Sequence, residues 1–315
     1  MGKPLVILAP MDGITDPPFR RFVKQVEPRV VVFSEFLSST LVAQKHSLAK
    51  SLFKIYDDEK PVVIQLYGKD AEHFRIAAQL AEAQGAAGID INMGCPAKKV
   101  VAHRHGSALM REIDLACAII ASVKSAVSVP VTVKTRLGWE DESNLIPFAK
   151  RLVDNGLDGI TIHGRTYQQK FDGLARYEPI YALKDALSIP VFGNGDIDSS
   201  ARALNSLGNL DGLMVGRAAV ADPWLMRRIC DGLAGVSSED SSPSFHHKMP
   251  LWKEFARMLT EERDERHACQ SFRKYLVAMV REMGFDAEVR KLSVSVESLA
   301  QVNEVLELFA ARQVA

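Results

Sequence analysis

Residues 5–13, LVILAPMDG, read as a short apolar strand that runs straight into a Pro-Met-Asp-Gly loop. Two folds begin with such a strand and continue with alternating helices: the doubly wound open sheet and the (β/α)₈ barrel. An open sheet with a dinucleotide site usually carries G-x-G-x-x-G after its first strand, and Ala9-Pro10-Met11-Asp12-Gly13 lacks it. Seven further apolar runs follow, at Val30–Phe33, Val62–Leu66, Gly88–Ile91, Val131–Lys134, Gly159–Ile162, Val191–Phe192 and Leu213–Val215. They are nearly continuous rather than alternating, as parallel strands covered on both faces require. Between them lie helical patterns such as Ala71–Gln84, where Phe74, Ala77, Ala78, Leu80 and Ala81 recur at helical spacing and Gly85 offers a C-terminal stop. Gly156 and Gly208 offer similar stops. Eight β-α units predict a (β/α)₈ TIM barrel.

Beyond it, Ala234–Pro250 (AGVSSEDSSPSFHHKMP) is rich in Ser and reads as a linker. Leu251, Phe255, Met258 and Leu259, then Phe272, Leu276, Val280 and Met283, then Leu299, Val302, Leu306 and Phe309 keep helical spacing. The expected division is therefore a catalytic barrel over residues 1–240 and a small C-terminal helical domain over 241–315.

Composition narrows the function. The 315 residues hold 39 Lys+Arg and 39 Asp+Glu, so a globally basic nucleic-acid coat is excluded while a local basic face is not. Four cysteines, Cys95, Cys117, Cys230 and Cys269, form no C-x-x-C pair and suit a reducing compartment. The N-terminus lacks a signal-peptide pattern, position 6 lacks the Ser/Thr of a myristoylation signal, and the longest apolar run, Leu115–Val123, is about half a membrane span. A cytoplasmic, membrane-free protein is expected.

Barrel enzymes carry their chemistry on the loops after the strands. Here those loops deliver Pro10-Met11-Asp12, Ser34-Glu35, Gln65, Asn92-Met93-Gly94-Cys95-Pro96, Lys134-Thr135-Arg136, His163-Gly164-Arg165, Gly193-Asn194-Gly195-Asp196 and Gly216-Arg217. The glycines after the seventh and eighth strands, with Arg217, predict a phosphate site, since barrels bind phosphate there with help from a helix N-terminus. Lys134 fits a Schiff-base nucleophile, a cation beside an electron-rich cofactor, or a lysine that snorkels to the rim. His163 fits either a structural hydrogen bond or a catalytic role. Cys95 stands in a loop, and an unperturbed thiol is protonated at neutral pH, so it can donate a proton. The other cysteines fall in helical patterns and read as packing residues. His103-Arg104-His105 and His246-His247 lack metal-ligand spacing, so no metal is expected. Glu261–Arg266 reads as a solvated helix face. Arg273-Lys274 and Arg290-Lys291 are basic pairs that hint at contacts to a phosphate backbone.

Together, LAPMDGITDPPFR (8–20), INMGCPAKKV (91–100), GSALM (106–110), KTRLGW (134–139), HGRT (163–166), GNGDI (193–197) and MVGRAA (214–219) resemble the tRNA-dihydrouridine synthases, FMN-dependent reductases of uridine in tRNA. The Asn-x-Gly-Cys-Pro segment joined to KTRLGW and HGRT is the most specific part, whereas APM and GNGD are shared with other FMN barrels. The resemblance implies that Pro10, Met11 and Asp12 line the flavin ring, Gln65 bonds its edge, Lys134 lies near its N1/O2 side and His163 lies beside it. It implies that Asn194, Gly195, Asp196, Gly216 and Arg217 hold the ribityl phosphate. Cys95 would protonate uracil C5 after hydride reaches C6, Asn92 and Arg165 would touch the target nucleotide, and the helical tail would hold tRNA. NADPH would reduce FMN transiently, the target would be a D-loop uridine, and the chain is expected to act as a monomer. His103-Arg104-His105, and Phe171-Asp172 in the HGRT loop, depart from the pattern. Three rival readings are an FMN barrel for a free pyrimidine or another enone, a lyase using Lys134, and an RNA-binding protein without redox function.

Overall fold

The computed structural model describes residues 4–45, 47, 49–97, 101, 103–236 and 243–313. Eight parallel strands close into a barrel in sequence order: β1 (Leu5–Leu8), β2 (Val31–Ser38), β3 (Val62–Tyr67), β4 (Gly88–Asn92), β5 (Val131–Arg136), β6 (Gly159–His163), β7 (Val191–Asn194) and β8 (Gly212–Val215). β1 pairs with both β2 and β8, so no edge is left open. Every expected apolar run is a strand. β2 runs further than expected, through Ser34 and Glu35 to Ser38, with a register irregularity between Phe33 and Phe36.

Helices cover the barrel because their apolar faces must be buried against it. The helix Ala71–Ala83 buries Phe74, Ala77, Ala78 and Ala81, and Asp70 caps it by accepting from His73 N. Gly85, at φ +92°, supplies the left-handed turn after it.

The tail is helical from Phe245 onward. Ala234–Pro250 is not a linker throughout, since the helix Phe245–Glu262 already includes Phe245 and carries Pro250 inside it. Residues 237–242 lie outside the described residues. Three more helices follow, Glu265–Glu282, Ala287–Ser293 and Leu299–Gln313. They do not form a separate core. Phe19 and Phe22 of the first barrel helix stack with Tyr275 and Phe255 of the tail at 5.2 and 4.9 Å, and Trp252 meets Trp224 at 6.2 Å. Polar contacts reinforce this seam. Arg263 donates to Asp16 at 2.9 Å, Tyr275 Oη donates to Ile14 O at 3.0 Å, and Lys274 donates to Gly13 O. The first loop of the barrel mouth is thus held by the tail.

Candidate active site

A cavity of about 610 Å³ occupies the C-terminal mouth of the barrel. Pro10, Met11, Asn92, Cys95, Lys134, His163, Asn194, Gly195, Asp196, Gly216 and Arg217 all line it. Strand-end residues from β1, β4, β5, β6, β7 and β8 therefore converge as the sequence implied. A second cavity, of about 490 Å³, lies outside the mouth around Trp139 and Arg111. Arg111 sits over one side of Trp139, and Tyr167 stacks with the ring at 3.9 Å. Its perturbed titratable groups are Arg136, which it shares with the mouth, and the exposed Asp141, held down by Ser143, so the mouth is the candidate site.

One side of the mouth is built around Cys95. Asn92, at the end of β4, accepts from Gly94 N at 3.1 Å and from Cys95 N at 3.0 Å. β5 holds the same loop from beside it. Met93 N donates to Lys134 O at 2.8 Å, Thr135 Oγ1 to Met93 O at 3.1 Å, and Arg136 Nε to Gly94 O at 2.8 Å. Cys95 is half-buried, and burial pushes its thiol pKa up. The Ala97 N–H, Arg136 and Lys134 pull the other way, but the net shift is upward, so the thiol is protonated at neutral pH.

The floor is cationic. Burial, with Arg136 close by, lowers Lys134 to about 8, and burial lowers Arg136 to about 10. His163 is pushed down to about 2 by burial and by the cations Lys134, Arg136, Arg165 and Arg217. It is a neutral imidazole. Arg165 donates to its Nε2 at 3.2 Å, which leaves the ring proton on Nδ1.

The opposite side is made of backbone and an unattached cation. Gly195 has φ +121°, and a Cβ there would lie 2.8 Å from His163 Cδ2. A Cβ at Gly216 would meet no clash, with Ala9 Cβ at 3.7 Å and Met11 Sδ at 3.9 Å. Arg217 is exposed, and its side chain makes no hydrogen bond or ion pair among the described residues. Its guanidinium lies 5.0 Å from the centre of the Phe171 ring. A short helix, Ala218–Ala221, begins right after it.

Several expectations meet a different local structure. Asp12 is exposed and does not line the cavity. Gln65 is wholly buried and commits its amide to Asp90 and Asn92, at 2.7 and 2.8 Å. Arg165 is also buried and away from the lining. Its guanidinium bonds Asp196 at 2.7 and 2.8 Å and the carbonyls of Asp172 and Gly173, so it braces the loop that carries Phe171. Burial opposes Asp196 ionising, but the Ala175 N–H and Arg165 hold its carboxyl below the usual value. Arg273 and Lys274 are directed to Val296 O and Gly13 O, so this basic pair is not free for a phosphate backbone. Arg290 and Lys291 remain exposed.

Sequence reasoning missed two contributions. Asp90 sits inside β4 with no exposure, and a carboxylate in the run GIDIN was the available signal. Ala278, Arg281 and Glu282 of the tail line the mouth, for which no local pattern exists.

A closed parallel barrel with a thiol, a half-buried lysine and an exposed arginine in one mouth has the architecture of a (β/α)₈ barrel enzyme. A family model described as dihydrouridine synthase (Dus) matches residues 7–314. "Probable tRNA-dihydrouridine synthase 1" of Synechocystis sp. is 38% identical over 305 residues, covering 96% of this chain and 83% of that one. "tRNA-dihydrouridine synthase B" of Pseudomonas aeruginosa is 38% identical over 315 residues, covering 98% and 93%. The chain belongs to the dihydrouridine synthase family and is an oxidoreductase. Among solved structures, a 2-naphthoyl-CoA reductase complex aligns at a TM-score of 0.54 with 11% identity, over 72% of this chain and 50% of that one; this likeness shows the fold alone. No helix among the described residues is long and apolar enough to cross a membrane, and none of them forms a His/Cys/Asp/Glu group able to hold a metal.

Proposed function

We propose that this chain reduces uridine to 5,6-dihydrouridine in tRNA, with FMN in the barrel mouth, NADPH as reductant and Cys95 as proton donor. The observation that carries this reading is that a protonated thiol, a cationic floor and an anion cradle share one cavity. The residues fit FMN. Gly216 leaves backbone open to close approach, Arg217 is a cation without an ion pair among the described residues, and the Ala218–Ala221 helix starts beside them, as phosphate sites in barrels do. Asn194, Gly195 and Asp196 complete that end, Pro10 and Met11 the first-loop wall. Lys134 would offer its cation to the ring, and His163, proton on Nδ1, would offer a donor.

When bound and reduced by NADPH, FMN supplies the hydride that uracil C6 receives. Cys95 Sγ gives its proton to C5 and is left as thiolate, to be reprotonated from solvent. Asn92 fixes the loop that carries the thiol. The uridine has to leave its stack to enter the mouth, at a cost of a few kcal/mol. The tail, residues 241–315, would grip tRNA with exposed basic groups such as Arg281 and Arg290, and the enzyme would work in the cytoplasm as a monomer. A dihydrouridine map of tRNA from cells lacking this gene tests the activity. Loss of dihydrouridine at defined D-loop positions is expected, and an unchanged map contradicts the proposal.

A further inference from the structure

Beneath the Cys95 loop runs a buried file of polar groups. Thr132 Oγ1 donates to Asp90 Oδ1 at 2.6 Å. Gln65 Nε2 donates to Asp90 Oδ2 at 2.7 Å, and Asn92 Nδ2 donates to Gln65 Oε1 at 2.8 Å. Asn92 Oδ1 then accepts from the backbone N–H groups of Gly94 and Cys95. Asp90 has no exposure, and β3, β4 and β5 enclose the file.

The direction of these bonds has a cause. An ionised carboxylate only accepts. Gln65 must therefore turn its NH₂ to Asp90, which leaves its oxygen facing Asn92. Asn92 must then turn its own NH₂ to Gln65, which leaves Oδ1 facing the loop. With Asn92 reversed, its NH₂ would meet two backbone donors; with Gln65 reversed, its NH₂ would meet that of Asn92 and its oxygen the Asp90 carboxylate, so either change leaves buried groups unpaired.

We propose that Asp90 is a positioning residue whose negative charge sets the hydrogen-bond direction through Gln65 and Asn92 and so fixes the backbone of Cys95. This deepens the reading of Cys95 as proton donor. The groups acting on the Asp90 carboxylate are Thr132 and Lys134 from β5 and Gln65 from β3. Burial raises Asp90 to about 6, against the pull of these three. It is ionised at neutral pH and takes up a proton as pH falls through about 6. Protonated, it can donate to Gln65, the constraint on both amides is released, and the loop loses its enforced acceptor.

Hydrogen exchange at the Gly94 and Cys95 amides of the purified protein reads this bond directly and needs neither tRNA nor turnover. In the native protein, protection corrected for intrinsic exchange should fall roughly tenfold as pH drops through about 6, one hydrogen bond's worth. Asp90→Asn can keep the direction but no longer titrates, so the step should vanish. Asn92→Asp puts a second acceptor-only group at the loop end of the file. Gln65 can then turn its NH₂ to only one carboxylate, unless Asp90 is protonated, so the pH dependence should invert, with protection lost as pH rises. The double variant Asp90→Asn/Asn92→Asp can satisfy every member with both bonds of Gln65 reversed, and should regain protection at all pH values. An Asn92→Asp protein with the native pH dependence, or a double variant no better protected than Asn92→Asp, overturns the proposal. Should protection follow the expected order while tRNA-dependent turnover ignores it, the charge-set direction stands and the role of Cys95 falls instead.

Discussion

The two sides of the mouth are built by opposite means. The Cys95 side is a short loop held by a buried side chain beneath it and by three bonds to β5. The Arg217 side offers open backbone at Gly216 and a guanidinium whose contact is the face of Phe171. The first suits a group that must meet a reacting atom at a fixed place, where displacement of about an ångström is costly. The second suits a group that closes on an incoming anion. A third region, the tail, supports both, because it holds residues 13–16 of the first loop and contributes Ala278, Arg281 and Glu282 to the wall.

The largest expected effect breaks the division between barrel and tail. The sequence suggests that removing residues 244–315 leaves a flavin-binding barrel, but the shared aromatic core argues otherwise. Phe19, Phe22 and Trp224 would lose their cover, and each buried side chain of this size contributes on the order of 1.5–3 kcal/mol. Several such losses approach the whole stability of a domain, about 5–15 kcal/mol. The truncated chain should be insoluble or unfolded by circular dichroism; a folded, yellow barrel would restore the separable picture.

Cys95→Ala should reduce dihydrouridine formation by about 10²–10⁴-fold, the usual worth of general-acid help, scored by mass spectrometry of tRNA. Arg217→Ala should weaken FMN binding by roughly 10–150-fold, equivalent to a charge-assisted contact of about 1.5–3 kcal/mol, as read by flavin fluorescence titration. If the two substitutions exchanged phenotypes, the assignment of the two sides would be reversed. The smallest effect concerns pH. Burial raises the Cys95 thiol, so its acid form persists above the ordinary thiol value, whereas Lys134 loses its charge near pH 8. A first alkaline fall near 8 should therefore survive in Cys95→Ala and disappear in Lys134→Met. The pH–rate profiles of the two variants check this.

The barrel was legible because each strand is an apolar run and each covering helix keeps its spacing. The linker reading of Ala234–Pro250 failed at its C-terminal end because Phe245–Pro250 sits in a Ser- and His-rich stretch, while Phe245 is buried against Phe309, far along the chain. Strand-end residues were legible as site residues because position alone places them at the mouth. Their partners were not. Arg165 is drawn to Asp196, whose φ of +54° sits in a tight turn, and no spacing rule links the two. Asp90 lay hidden in an apolar run, where the inward face is known only once the strands have a register.

Anaerobic rapid mixing of the native and Cys95→Ala enzymes, following flavin absorbance, tests the central claim that Cys95 supplies the proton. Reduction by NADPH involves no proton at C5 and should run at the native rate in Cys95→Ala, with FMN fully retained. Reoxidation by tRNA should slow by about 10²–10⁴-fold. A Cys95→Ala enzyme that is reoxidised by tRNA as fast as the native one would contradict the claim and leave solvent or another group as the proton source.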